Sequence, residues 1–352
     1  MSRRLKDNNL IILCEGTKTE FQYFEDIKKK VMSVESPRFT AIKIVPVENE
    51  MVHTSRNHVR RRQLQDAGID TSICYYCLQE DSKELYDKYC AYPSRFVRET
   101  YLYMEREGYV NGWAVFDHDN HPDRKNAMRY AQEMHVKVAF SSKCFEEWLL
   151  AHFERNPRAF ETSECKDVND AELRCGTGVK GDCNGNKCLG GRLRSQRYIP
   201  NYDKAKVRGV FEIYTIPLYN RALMNAAWLR TLEPDVPIED KRTYTDVDFL
   251  VGYLLGDERS FVWIKLGQVF SYRGTKLSVS KTQSGLVIKN EGGISCVLNH
   301  NVFYCDKDGN SISEAIEWRL IGSGESKECL PVVENTSLIC VQNGNRTVVV
   351  EV

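Results

Sequence analysis

Short apolar runs and helical repeats alternate along the first half of the chain. The runs at residues 10–13 and 113–116 contain no charged residue and stop abruptly before Glu15 and at Asp117. Uninterrupted runs of this kind are typical of strands buried on both faces, as in a parallel sheet covered by helices. In chain order the pattern predicts strands at 10–13, 39–47, 113–116 and 136–140, and helices at 20–31, 94–107, 123–134 and 144–153. This alternation predicts right-handed crossovers and an α/β fold with a parallel sheet flanked by helices.

The second half of the chain has a different texture. Helical patterns return over residues 210–255, but from about residue 260 short β-prone runs alternate with Gly, Asn and Asp. Asp308-Gly309 and Asn343-Gly344 are dipeptides that favour hairpin turns. We therefore expect a C-terminal all-β domain at residues 257–352, within the usual size range of a domain.

Two long stretches interrupt the predicted α/β domain, which spans residues 1–256. The first, at about residues 48–93, holds an arginine-rich run and three cysteines. The second, at about residues 155–205, is rich in Gly, Asn, Arg and Cys and has little periodicity. Loops this long in a compact domain are usually functional or disordered. We treat both as insertions into the domain.

Some polar residues and glycines mark the predicted helix boundaries. Thr17 stands three residues before Glu20, which is the spacing of a capping box at the start of the first helix. A catalytic role for Glu20 is the alternative interpretation. Ser94 is predicted to cap the second helix, and Gly108 to end it.

Composition and charge exclude few functions. Lys plus Arg and Asp plus Glu both total 49, so no overall positive charge marks the chain as a nucleic-acid binder, although local patches remain compatible with one. No apolar stretch is long enough for a membrane span, and the first residues lack a secretory signal. The thirteen cysteines are then expected to be reduced thiols or metal ligands in the cytoplasm.

Carboxylates follow both apolar strands and give the sequence its strongest chemical signal. Glu15 follows the first strand, and Asp117 and Asp119 follow the third. Turn formation is the simpler explanation of one acidic strand end, but strand ends of open parallel sheets converge on a crevice where ligands bind. Oxygen ligands without Cys or His suit Mg²⁺ or Mn²⁺. We predict that Asp117 and Asp119 hold the ion against a scissile phosphate, while Glu15 completes the metal shell or exchanges the proton.

Other ionisable residues are harder to assign from the sequence. Glu146 begins the fourth helix, where an acid is routine, and a second metal shell is the alternative. His121 is expected to be a surface loop residue, and His152 to be packed or solvated rather than catalytic.

The motifs around these acids resemble known proteins. Cys14-Glu15-Gly16 after one buried strand and Asp117-His118-Asp119 after a later one are similar to the Toprim fold of topoisomerases, bacterial primases and the OLD and RloB nucleases. Four segments of the chain are similar to the RloB family in particular. They are residues 14–20 with Tyr23-Phe24, residues 115–121, residues 144–153 and Tyr202-Asp203-Lys204. The resemblance covers roughly residues 8–256. It implies a metal-dependent nuclease linked to restriction loci and to defence against phage, but the insertions and the β-rich tail leave its substrate open.

The cysteines of the insertions suggest a structural zinc site, with ordinary reduced thiols as the alternative. Four thiolates can hold a tetrahedral Zn²⁺, although the spacing here is not the paired Cys-x-x-Cys form. The candidates are Cys165, Cys175, Cys183 and Cys188. A second set comprises Cys74, Cys77 and Cys90, with His53 or His58. Cys14 and Cys144 are expected to be packing residues.

Basic residues in the insertions are the predicted nucleic-acid contacts, although charge runs are often only solvated surfaces. One cluster is Arg56 with Arg60, Arg61 and Arg62; the other is Arg192, Arg194, Arg197, Lys204, Lys206 and Arg208. Tyr198 and Tyr202 interleave with the second cluster, which suits stacking on an unpaired base. Lys18 stands at a helix start, where a cation is well placed for phosphate.

The sequence therefore predicts a Mg²⁺- or Mn²⁺-dependent nuclease acting in antiphage defence, for which we favour RNA, for example tRNA, as substrate. One alternative is a DNA endonuclease with a restriction or ATPase partner; the partner would carry the ATPase, because this chain has no G-x-x-x-x-G-K-[ST] motif. The other is a non-catalytic sensor whose β-rich tail binds a phage protein or a second copy of the chain.

Overall fold

A computed structural model divides the chain into two units, and each is described by itself. The structure describes residues 8–46, 66, 68, 92–118, 121, 123–163, 185–283, 285–298, 300–317 and 319–352. The predicted basic cluster at 56–62, the cysteines between 74 and 90, and Asp119 therefore lie outside the described residues. Unit 1 comprises residues 1–218 with 232–256, and unit 2 comprises 219–231 with 257–352.

Strands and helices alternate through unit 1 as predicted. In chain order they are β1 (Asn9–Cys14), α1 (Thr19–Met32), β2 (Ala41–Pro46), α2 (Ser94–Glu107), β3 (Asn111–Asp117), α3 (Arg124–Glu133), β4 (Lys137–Ser142), α4 (Glu146–Ala151) and α5 (Leu189–Ser195). After α6 (Tyr219–Thr231), which belongs to unit 2, follow β5 (Tyr244–Thr245) and α7 (Val247–Leu255). The described part of unit 1 also contains a π-helical turn (Phe211–Thr215) and two 3₁₀ turns (Ile216–Leu218 and Ile238–Asp240).

The sheet of unit 1 has the strand order β2-β1-β3-β4-β5, and its first four strands are parallel. β5 runs antiparallel to β4 at one edge. β1 and β3 are buried along almost their whole length, which confirms the prediction of two-sided burial. Their register pairs Cys14 with Val115, so the residues that follow both strands emerge at one edge of the sheet.

The helix boundaries are only partly as predicted. Gly108 ends α2 in the left-handed conformation (φ 73°), as expected. The predicted capping roles of Ser94 and Glu20 are wrong. α2 follows Pro93, and the Ser94 hydroxyl donates instead to Asp123 Oδ2 at 2.5 Å. α1 starts after Lys18 without a side-chain cap.

Unit 2 is rich in antiparallel strands, which confirms the predicted C-terminal β region. Its strands are β6 (Ser260–Ile264), β7 (Val269–Tyr272), β8 (Thr275–Lys281), β9 (Leu286–Asn290), β10 (Cys296–Leu298), β11 (Val302–Cys305), β12 (Ser311–Glu314), β13 (Arg319–Ile321), β14 (Ser326–Glu328), β15 (Leu338–Asn343) and β16 (Arg346–Glu351). They form sheets ordered β12-β11-β15-β16-β6, β14-β9-β8-β7 and β10-β13. Strands of all three sheets contribute to one apolar core.

Both predicted hairpin turns are present in unit 2. Asp308-Gly309 connects the antiparallel pair β11 and β12, and Asn343-Gly344 connects β15 and β16. The sequence-based division placed α6 in the first domain, whereas the structure groups this helix with the β strands. One contact that holds it there is the hydrogen bond from Trp263 Nε1 to the Met224 carbonyl, at 2.7 Å. Among the described residues, no helix is long and apolar enough to cross a membrane.

We expect Gly112→Ala to destabilise unit 1, because Gly112 lets β3 pack closely against α2. A Cβ at this position would lie 2.4 Å from Met104 Sδ and 2.8 Å from Thr100 Cγ2. Met104 can adjust, but Thr100 is fully buried and bonded through its hydroxyl to the Phe96 carbonyl. Overpacking of this kind costs about 1–3 kcal/mol of unfolding free energy. Urea unfolding followed by circular dichroism measures the loss.

The matched control is Gly293→Ala, because a Cβ there meets no atom within 4 Å. Equal unfolding midpoints for the two variants would contradict the close packing of β3 on α2.

Candidate active site

A cleft opens at the edge of the unit 1 sheet where β1 and β3 end. Its volume is about 390 Å³. It is lined by Glu15, Gly16, Thr17, Lys18, Thr19, Glu20, Asp117, Asp203, Lys204 and Ala205. One concave surface is thus formed by the strand ends, the first turn of α1 and the segment after α5. Open parallel sheets usually bind ligands at this edge.

Glu15 and Asp117 meet at the base of this cleft. The Glu15 N–H donates to the Val115 carbonyl at 2.9 Å, which continues the pairing of β1 with β3 by one residue. The Asp117 N–H in turn donates to Glu15 Oε2 at 3.0 Å, and both side chains are buried. The structure therefore brings together two of the three carboxylates that the sequence assigns to a metal site.

His121 is part of the site, so its prediction as a surface loop residue is wrong. Its side chain is buried, and its Nε2 is hydrogen bonded to Glu15 Oε1. Arg124 Nη1 donates to the His121 carbonyl at 2.7 Å and holds this residue in place. A residue four positions after Asp117 thus reaches the carboxylate that follows the neighbouring strand. The polar spacing Asp117, Asp119, His121 was the available sequence signal.

Glu20 points into the same cleft from the first turn of α1. Burial raises its pKa to about 7; Lys204 opposes the shift, and the Glu146 and Glu15 carboxylates add to it. A Cβ on Gly16 would lie 2.0 Å from Glu20 Oε2, so the turn before α1 has to be glycine for Glu20 to occupy this position. Glu20 can therefore exchange a proton near neutral pH.

Glu146 lies behind the cleft lining and is fully buried. Its Oε1 accepts a hydrogen bond from the Tyr202 hydroxyl at 2.5 Å and lies 4.0 Å from Lys204 Nζ. Burial alone would raise the pKa of Glu146, but the Lys204 ammonium and the hydrogen bonds from Cys144 and Tyr202 outweigh it and lower that pKa. The Glu146 carboxylate raises the pKa of Lys204 in return.

Two arginines of the predicted basic cluster are engaged in contacts within unit 1, whereas Lys206 and Arg208 are exposed. Arg192 makes a two-pronged ion pair with Glu154 at 2.9 and 2.7 Å, and Arg194 Nη1 donates to the Tyr202 carbonyl at 2.9 Å. Tyr202 is buried, so its predicted stacking on a base is wrong. Arg197 is exposed.

Tyr198, the second predicted stacking residue, also has a partner within the unit. Its ring stacks on Phe153 at a centroid distance of 4.8 Å, and its hydroxyl donates to Glu154 at 2.9 Å. Of the predicted nucleic-acid contacts, Lys18 and Lys204 line the cleft.

The remaining candidates have structural surroundings. His152 is packed as expected, with its ring 4.4 Å from that of Trp148, and burial lowers its pKa to about 3. Cys14 and Cys144 are buried packing residues, also as expected. Cys188 Sγ accepts the Gly191 N–H at 3.3 Å and caps α5. Its predicted zinc partners Cys165, Cys175 and Cys183 lie outside the described residues.

The donor chemistry of the cleft fits a magnesium-type ion. The described residues contain no group of three or more His, Cys, Asp or Glu side chains placed to hold a metal. Mg²⁺, however, is commonly bound through one or two protein carboxylates, with waters and substrate phosphates as the other ligands. Glu15 and Asp117 supply such a pair of oxygen donors at the cleft.

The fold and site together define an α/β protein with acidic strand ends at a parallel sheet edge. The family model described as RloB-like protein matches residues 10–254, from β1 to α7, so the chain belongs to the RloB-like family. No curated protein and no solved structure matches the chain.

We expect Glu20→Gln to stabilise the protein at alkaline pH. Glu20 binds its proton more tightly in the folded state, where its pKa is about 7, than at its ordinary value of 4.5. Its contribution to stability is therefore complete below pH 4.5 and is lost as the pH rises through 7. The neutral amide does not titrate. The free energy of unfolding of the variant should therefore exceed that of the wild type by up to about 3 kcal/mol at pH 8.5 and should nearly equal it at pH 4.5.

Urea unfolding at both pH values measures this difference. Glu105→Gln, at an exposed position on α2, is the control and should behave alike at the two pH values. A Glu20→Gln effect of the same size at pH 4.5 and 8.5 would contradict the raised pKa.

Proposed function

We propose that this RloB-like protein is a metal-dependent nuclease that hydrolyses phosphodiester bonds. The observation that carries the proposal is the meeting of Glu15 and Asp117 at the ends of adjacent parallel strands, inside a cleft. Paired carboxylates of this kind suit phosphate chemistry because they hold a cation at the point where negative charge develops. The resemblance of these motifs to the Toprim nucleases supports the same reaction.

Glu15 and Asp117 would hold Mg²⁺ or Mn²⁺, with Asp119 as the third predicted ligand. When bound, the ion supplies Lewis-acid polarisation of the phosphate and favours ionisation of the attacking water. His121 fixes the Glu15 side chain through its hydrogen bond to Oε1. Asp117 is held in turn by the hydrogen bond of its N–H to Glu15.

Glu20 is the residue best suited to the proton transfer. Its pKa of about 7 lets it be protonated or ionised in a neutral cytoplasm. A general acid or base works best when its pKa is near the working pH. Glu20 lines the cleft beside Glu15, so it can exchange a proton with the attacking water or with the leaving oxygen.

RNA, for example a structured RNA such as tRNA, is the substrate that we favour, and antiphage defence is the proposed setting. Both rest on the resemblance to Toprim defence nucleases. The presence of Lys18 and Lys204 in the cleft supports an anionic substrate.

We expect Glu15→Gln and Asp117→Asn to reduce hydrolysis by at least about 100-fold, because removing one group that stabilises transition-state charge commonly has an effect of this size. The assay incubates purified protein with Mg²⁺ or Mn²⁺ and with tRNA, single-stranded DNA or duplex DNA in parallel. Chelation of the metal should abolish cleavage. Glu105→Gln is the matched control, because this carboxylate is exposed on α2 and does not line the cleft.

This cleavage assay and a phage challenge of cells that express each variant together separate the candidate functions. If only DNA is cleaved, DNA is the substrate instead of RNA, and the proposed hydrolysis of phosphodiester bonds still holds. If Glu15→Gln and Asp117→Asn protect cells from phage as well as the wild type does, the catalytic proposal fails and a binding or sensor role through unit 2 gains support.

A further inference from the structure

The cleft contains a cation in a fixed position. Lys204 Nζ lies 4.0 Å from Glu146 Oε1 and donates to Ser163 Oγ at 3.1 Å. Its side chain remains 42% exposed and lines the cleft, whereas Glu146 is completely buried and does not line it. Glu146 and Ser163 therefore hold the ammonium group on one side, while the lysine side chain remains accessible from the cleft.

Side chains of α1 hold the backbone around Lys204. The Thr19 hydroxyl donates to the Lys204 carbonyl at 3.0 Å, and Gln22 Nε2 donates to the Ala205 carbonyl at 3.2 Å. Gln22 Oε1 also accepts the N–H of Val207 at 3.0 Å. Because α1 begins at the cleft, these bonds fix Lys204 relative to Glu15 and Glu20.

Glu146 is placed to hold Lys204. Its carboxylate is completely buried, its Oε1 accepts the Tyr202 hydroxyl, and it does not line the cleft. A buried carboxylate is costly unless a cation and hydrogen bonds compensate for its lost hydration. Lys204 and Tyr202 supply that compensation, so the buried charge orients the lysine that reaches the cleft.

We propose that Glu146 and Tyr202 are positioning residues for Lys204, and that Lys204 binds a backbone phosphate of the substrate beside Glu15 and Asp117. The inference rests on the proposed function, since the bound phosphate is part of that reaction. Carboxylates of Glu15, Asp117 and Asp203 also line the cleft and would repel a nucleic acid. A fixed ammonium group offsets this repulsion at one phosphate and loses little side-chain freedom when it binds.

The first test measures how salt weakens the binding of a short labelled RNA in Ca²⁺. Log affinity falls as log salt concentration rises, and each lost phosphate contact reduces the steepness of this fall by about 0.7–1. We expect Lys204→Met and Glu146→Gln each to reduce the steepness by about this amount and Tyr202→Phe to reduce it less. Lys204→Arg should keep the steepness of the wild type. Glu146→Gln should add nothing further in the Lys204→Met background, because it acts through Lys204.

The control is a lysine–glutamate pair on the surface of the same unit. Lys43 Nζ lies 2.7 Å from Glu107 Oε2, and Lys43→Met and Glu107→Gln should leave the slope unchanged. Urea unfolding of each variant shows whether it is folded. If Glu146→Gln does not fold, Tyr202→Phe carries the test, because it removes one hydroxyl from the same contact.

The second test measures Mn²⁺ binding without nucleic acid by electron paramagnetic resonance. Glu146→Gln should bind Mn²⁺ within about twofold of the wild type, whereas Glu15→Gln should bind it at least about tenfold more weakly. Loss of Mn²⁺ binding in Glu146→Gln would overturn the inference and make Glu146 a metal ligand. An unchanged salt slope in Lys204→Met would overturn it too, without affecting the nuclease proposal. The expected slopes in a protein that cleaves nothing would support the inference and overturn only the proposed reaction.

Discussion

The parallel pairing of β1 with β3 is the constraint on which the candidate site depends. The register that places Cys14 opposite Val115 makes Glu15 and Asp117 the next side chains at the same sheet edge. The Glu15 N–H extends the pairing by one further hydrogen bond to Val115, and the Asp117 N–H is bonded to the Glu15 carboxylate. A shift of either strand by one residue would separate these groups and exchange the side chains that pack on the two faces of the sheet. The strand pairing that builds the core of the sheet therefore also positions the site.

The helices that follow the strands complete the site from several directions. α1 contributes Glu20 and carries the side chains that hold the segment around Lys204. The loop after β3 contributes His121, which is bonded to Glu15. α4 places Glu146 behind the cleft, at the start of the helix that follows β4. Glu20, His121 and Glu146 belong to separate strand–helix units, so the site requires β1, β3 and β4 to be assembled.

Periodicity and turn chemistry predicted the parts of the fold that depend on neighbouring residues in the chain. The order of strands and helices up to α4 is confirmed, and so are the Gly108 helix end and both hairpin dipeptides. These features follow from side-chain spacing or from backbone conformations that glycine adopts easily. The contact between Glu15 and Asp117 could also be predicted from the sequence, because a parallel sheet brings its strand ends to one edge.

The predictions that failed depend on contacts between distant parts of the chain. Ser94 bonds Asp123 instead of capping its own helix, His121 is buried against Glu15, and Tyr202 is buried against Glu146. The partners of His121 and Tyr202 lie 106 and 56 residues away in the chain. Local propensity cannot supply such partners, and in each case a buried hydrogen bond outweighs the local preference.

Glu20 and Glu146 show how the environment of a carboxylate separates roles that the sequence leaves open. Both are buried acids in the first turn of a helix, and burial favours the neutral form of each. For Glu20 burial prevails and the pKa rises to about 7, whereas Lys204 and the Tyr202 hydroxyl outweigh it at Glu146 and lower the pKa. Environments that move the pKa values of two acids apart suit them to different chemistry. The cleft is lined by an acid whose pKa lies near 7, and a carboxylate with a lowered pKa lies behind it, close to the Lys204 ammonium group.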